Sequence, residues 1–146
     1  MEQKKRRRVT AAALLAAVAA AATDVAYVAL IMSQGATPPQ PAVVPFVFGY
    51  VAVIAAASLI GMRLAGIGRT SAARSVFLSA AAGSGALGFI GIFSIGLPLL
   101  ITGALLVVAA QSLPGTPRGN AWLWPASGAI VAIVVLIAGF VLVGTF

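Results

Sequence analysis

The chain has no cysteine and no histidine. That excludes disulfides, thiolate and imidazole metal ligands, haem ligation through either residue, and catalysis by a cysteine nucleophile or a histidine base. Acidic residues are nearly absent as well: Glu2 and Asp24 are the whole set. Glu2 lies in a polar head, so no pair of carboxyl groups can meet inside the apolar part of the chain. The serines and threonines have no base to activate them. The sequence is therefore not expected to be an enzyme, and it offers no catalytic, cofactor-binding or metal-binding set of its own.

Charge of either sign is scarce. Charged residues make up 8% of the 146, against roughly 25% in a soluble domain, whose surface must meet water. Hydrophobic residues make up 62%, and the mean hydropathy is +1.13. Too few polar groups remain to cover a globule of this size in water. A lipid bilayer is the solvent this composition requires.

What charge there is has a pattern. The nine cations are Lys4, Lys5, Arg6, Arg7, Arg8, Arg63, Arg69, Arg74 and Arg118, giving a net charge of +7. A basic excess of this kind could point to nucleic acid, but these cations sit at the ends of apolar runs, where topology signals belong. No nucleic-acid partner is expected. The five consecutive cations from Lys4 to Arg8 are expected to hold the N-terminus in the cytoplasm. They are also a candidate contact for anionic lipid, at roughly 1 kcal/mol per cation near the surface. Abundant Ala, Gly and Arg with only two Lys fits a GC-rich bacterial genome, and so a multi-pass protein of the plasma membrane.

The apolar runs count out the spans. Val9 to Met32 is 24 residues, about 36 Å as a helix and enough to cross with some tilt. Its basic start and the run Ala20-Ala21-Ala22 resemble a cleavable secretory signal. Apolar sequence continues past that run through Val25, Val28 and Ile31, so a retained first span is the expectation. Ser33 to Pro45 holds four prolines, a glycine and no charge; it is expected to be an extended, translocated linker. Phe46 to Leu64 is the second span. Along it Gly49, Ala57, Gly61 and Ala65 recur at multiples of four, with Ala52 and Ala56 beside them, a small-residue stripe of the kind that lets helices approach closely in lipid.

Between Arg74 and Arg118 lie 43 uncharged residues, and Ser75 to Ala110 is almost wholly apolar or small. As one helix those 36 residues would reach about 54 Å, against a hydrocarbon core of about 30 Å. Gly91, Ser94, Gly96 and Pro98 cluster at the midpoint, with Ser94 able to cap a helix and Pro98 suited to its opening turn. Two short spans are expected, about 73–92 and 97–111, which would return Arg118 to the side of the other cations. Against this, Ser79 to Ala86 is small rather than greasy; the alternative is a single kinked third span and four spans in all. A last span, about 124–143, follows a Pro/Gly loop, with Trp122 and Trp124 placed for an interfacial belt.

The expected fold is thus all-α, one integral membrane domain over residues 1–146, a polytopic bundle of five spans. Asp24 is the one candidate for buried chemistry. It lies roughly 22 Å along the helix from Val9, where an acid costs on the order of 2.5–3.5 kcal/mol. Thr23 and Tyr27 are close enough on the helix to hydrogen-bond it. A shifted span would instead leave it near the outer headgroups. The expected function is that of a small structural or accessory membrane protein acting through helix–helix contacts, with itself or with other membrane proteins. Asp24 and Tyr27 are the candidate intramembrane polar site, and the alternative function is a small transporter or channel subunit using Asp24 and the Ser94 to Pro98 break.

Overall fold

A computed structural model describes residues 2–33, 43–91, 96–115 and 123–144. They form five helices: α1 (Glu2–Ser33), α2 (Val43–Gly66), α3 (Thr70–Ile90), α4 (Gly96–Ser112) and α5 (Leu123–Gly144). Three of them, Gln3–Ser33, Pro45–Gly66 and Thr70–Ile90, are long and apolar enough to cross a membrane; Gly96–Ser112 and Ala126–Gly139 are shorter apolar helical stretches. Two boundaries differ from the sequence reading. The basic head is not a separate polar segment, because Lys and Arg are good helix formers and nothing breaks the chain before Val9, so α1 starts at Glu2. The second helix starts at Val43 and takes Pro45 into its first turn, where a missing N–H removes no helical bond.

Neighbouring helices close a ring, α1 on α2, α2 on α3, α3 on α4 and α4 back on α1, and α5 lies outside it against α3 and, more lightly, α2. The α2–α3 turn ends in a Schellman arrangement. Gly68 takes a positive φ of 82°, Arg69 N–H donates to the Leu64 carbonyl and Gly68 N–H to that of Ala65; only a residue without Cβ adopts that backbone cheaply.

Helices α3 and α4, the described parts of the long uncharged stretch after Arg74, lie antiparallel side by side. Arg74, in the second turn of α3, donates to the carbonyls of Ala110 (3.3 Å), Leu113 (3.0 Å) and Gly115 (2.9 Å) at the end of α4. A guanidinium there satisfies carbonyls that have no helical donor and complements the negative end of the helix dipole. Arg74→Ala is expected to destabilise the protein by about 1–2 kcal/mol, with Arg74→Lys between the two, read from unfolding in detergent micelles. Deeper in, Ser84 donates to the Leu99 carbonyl at 2.6 Å, and Gly88, Gly96 and Gly103 let the two backbones close: a Cβ on Gly88 would stand 3.0 Å from the Gly96 carbonyl oxygen. Pro98 sits in the first turn of α4, and Ser94, its expected cap, lies outside the described residues.

The weakest of the three long apolar helices is the best shielded. In α3, 44% of the apolar window is buried, against 28% in each of α1 and α2. Its residues, large and small, interlock with those of the neighbouring helices. Phe77 is fully buried, its ring against Gly61 of α2. Tyr50 of α2 passes Gly83 and donates to the Ala132 carbonyl of α5 at 3.1 Å. Ser79 lies against Gly128, so α5 advances in the same direction as α3. A segment too weakly hydrophobic to face lipid need not do so here, because three helices cover it.

Eight cations of the described residues, Lys4 to Arg8, Arg63, Arg69 and Arg74, consequently gather at one end of the bundle. Arg118, Trp122 and most of the linker after Ser33 lie outside the described residues.

Candidate functional sites: a buried carboxylate and a basic cleft

Helix α1 carries its small residues inward. Val9, Ala12, Ala13, Ala16, Ala17, Ala20, Thr23 and Asp24 are buried at three- and four-residue spacing, while Leu14, Leu15, Val18 and Val25 are exposed. This inverts the soluble pattern: in lipid the large aliphatic side chains can face the solvent, and alanine allows helix backbones to approach. Asp24 continues the alanine stripe toward α2 and α4, and it is 6% exposed. Its Oδ1 has no hydrogen-bond partner among the described residues.

The expected partners do not supply one. The Thr23 hydroxyl donates to the Ala19 carbonyl of its own helix at 2.7 Å. Tyr27 is half-buried against the core, yet its hydroxyl does not reach Oδ1. Ends that pair across the bundle give Asp24 its level. Arg6 bonds the Gly66 carbonyl at 3.2 Å, and an equal rise along antiparallel α2 ends roughly at Phe48. Val9 shares a cleft with Leu113, and the same count along α4 ends roughly at Pro98. Asp24 therefore lies inside the helix bundle, at the axial level where α4 begins.

Among the described residues, the other buried polar side chains are all satisfied by main chain. Besides Thr23, Ser58 donates to Ile54 O, Ser84 to Leu99 O and Thr102 to Pro98 O. This leaves those hydroxyl protons committed to helix carbonyls. Asp24 is the exception, and a carboxylate in such surroundings calls for a proton, a cation or a donor from elsewhere. No group of three or more acidic side chains able to hold a metal occurs among the described residues.

The second candidate is at the opposite end of α1. A cleft of about 590 Å³ opens between the starts of α1 and α3 and the ends of α2 and α4. Lys5 and Arg6 line it; Lys4, Arg7 and Arg8, also exposed, do not. Helicity is what divides the run: successive residues turn by about 100°, so five consecutive cations cannot share a face. The sequence grouped them as one cluster, and it gave no signal for the cleft, whose walls come from four separate helices.

Compared with protein-family models, curated proteins and solved structures, the chain matches none.

Proposed function

We propose that the protein is a five-span bundle of the plasma membrane that works as a small accessory or structural component through helix–helix contacts. Its N-terminus and the α2–α3 and α4–α5 connections lie in the cytoplasm, and its C-terminus lies outside. The positive-inside rule supports this orientation, since eight cations gather at one end of the bundle. Helix α4, at 17 residues, is about 25 Å long, short for a 30 Å core, and spans by local thinning of the bilayer.

The observation that carries the functional reading is how the interior is filled. Helix crossings are closed by glycine against ring or backbone at Gly61, Gly83, Gly88, Gly96 and Gly103, and four buried hydroxyls donate to main-chain carbonyls. That is the chemistry of packing rather than of a polar path. Its partners are the bilayer and other membrane proteins or copies of itself. In-cell crosslinking followed by mild-detergent purification tests this: a defined product heavier than the monomer is expected, and recovery of the protein alone as a monomer under every condition contradicts it.

Asp24 favours a second reading, a small transporter or channel subunit in which the unpartnered carboxyl exchanges a proton or cation beside the start of α4. Ion flux through proteoliposomes that survives Asp24→Asn unchanged removes that reading.

A further inference from the structure

We propose that the cleft at the basic end is a binding site for an anionic phospholipid, with Lys5 and Arg6 on the phosphate and an acyl chain in the adjoining groove of α2. Three features of the cleft fit an amphiphile. Its wall holds two cations and the Thr70 hydroxyl. Its floor is apolar, from Val9, Met62 and Leu113, which a free hydrated anion would have no use for. It also does not end at its own rim. A second groove of about 510 Å³ lies alongside on α2, formed by Leu59, Ile60, Leu64 and Ile67 with Arg63.

Gly66 belongs to both cavities. A Cβ there would meet only the Arg6 guanidinium, at 3.8 Å, so the bare backbone forms a low saddle between a basic seat and an apolar trough. Arg6 already gives one donor to the Gly66 carbonyl. That bond holds the guanidinium at the saddle and leaves further N–H groups for a phosphate, the bidentate geometry in which arginine is strongest. Basic pockets between helices at a cytoplasmic surface are suited to anionic headgroups. The depth of the site rests on the five-span orientation proposed above; the lining does not.

The test is native mass spectrometry on the full chain in mild detergent, with phosphatidylglycerol, phosphatidylcholine of the same acyl chains, and inorganic phosphate as competitor. One phosphatidylglycerol is expected to stay bound where phosphatidylcholine does not, and millimolar phosphate is expected not to displace it. Lys5→Gln with Arg6→Gln is expected to weaken retention about thirtyfold, whereas Lys4→Gln with Arg7→Gln, equal in net charge but off the cleft, should change it by less than about threefold. Equal losses in the two double variants would mean diffuse attraction to the basic end and would overturn the site. Displacement by phosphate would overturn the lipid assignment. Gly66→Leu, which alters no charge and fills the saddle, is expected to weaken binding as well, and unchanged retention in that variant also contradicts the proposal. Because crosslinking reads partner contact and this experiment reads lipid, either can fail without the other.

Discussion

Replacing Asp24 by alanine should make the protein more stable, by about 2 kcal/mol and up to about 3. The figure follows from the cost of leaving a buried polar group without a hydrogen bond, about 1–3 kcal/mol and more when it is charged, less a small loss of packing at the removed carboxyl. Alanine is also the natural occupant. It extends the buried series of Ala13, Ala16 and Ala20 by one more turn and raises helix propensity over aspartate. Oδ1 gives up no hydrogen bond among the described residues, since it makes none. Asp24→Asn keeps the shape and should gain less, because an amide in the same place still lacks partners. Unfolding in bicelles or mixed micelles measures all three forms. A stability gain coupled to loss of whatever the protein does in the cell is the signature of a residue kept for function against stability. A stability loss would instead show that the carboxylate is held by a donor or cation.

The second large effect is expected at Gly96, and its control lies in the partner helix. A methyl group on Gly96 would overlap the carbonyl oxygen of Gly88 and stand 2.7 Å from the carbonyl of Gly91. Both obstacles are backbone, so no side-chain rotation relieves them. Helices α3 and α4 must separate, and with them go the Ser84 to Leu99 hydrogen bond and the contact at Gly103. Gly96→Ala is therefore expected to cost about 3 kcal/mol or more. Gly85, one residue from Ser84, meets nothing within 4 Å when a Cβ is added. Gly85→Ala should leave the fold intact and stabilise it by roughly 0.5–1 kcal/mol, the backbone entropy a helical glycine loses. The same substitution, eleven residues apart in sequence, should thus change sign. Equal effects at both positions would mean that α3 and α4 do not meet along this face.

How much of this was legible in the sequence depended on whether the signal was local. The five helices follow from the lengths of apolar runs and the Pro/Gly breaks between them, and the fold-back follows from a run about 24 Å too long for one crossing. The objection to it, that Ser79 to Ala86 is too weakly hydrophobic, assumed that each span faces lipid alone. In the bundle α3 sits between α2, α4 and α5; its Phe77 packs on Gly61 of α2, and its small residues receive Tyr50 and the backbone of α4. Burial of that kind belongs to the assembled bundle and leaves no mark on a local hydropathy window.

Other features failed for related reasons. The small residues of α2 looked like one stripe, but Gly61 is buried under Phe77 while Gly49, Ala52 and Ala56 are exposed. A period of four drifts around a helix that repeats every 3.6 residues, so no straight face holds them all. Asp24 could be placed by depth along α1, but whether it faced inward depended on α4. The side chain of Thr23 was close to Asp24 in sequence and still bonded elsewhere, because a threonine hydroxyl in a helix has a carbonyl four residues back within reach. Arg74 was read as a charge marking a boundary. Its work as a clasp on the end of α4 became visible only with the two helices side by side.

The decisive measurement concerns the stretch after Arg74, and the absence of native cysteine makes it clean. Single cysteines are introduced at Ile90, exposed at the end of α3, and at Pro114, exposed just beyond α4. Intact cells are treated with a membrane-impermeant thiol reagent. Two crossings require Ile90→Cys to react from outside and Pro114→Cys to react only after lysis. Labelling of Pro114→Cys on intact cells would mean one kinked span and would contradict the five-span bundle.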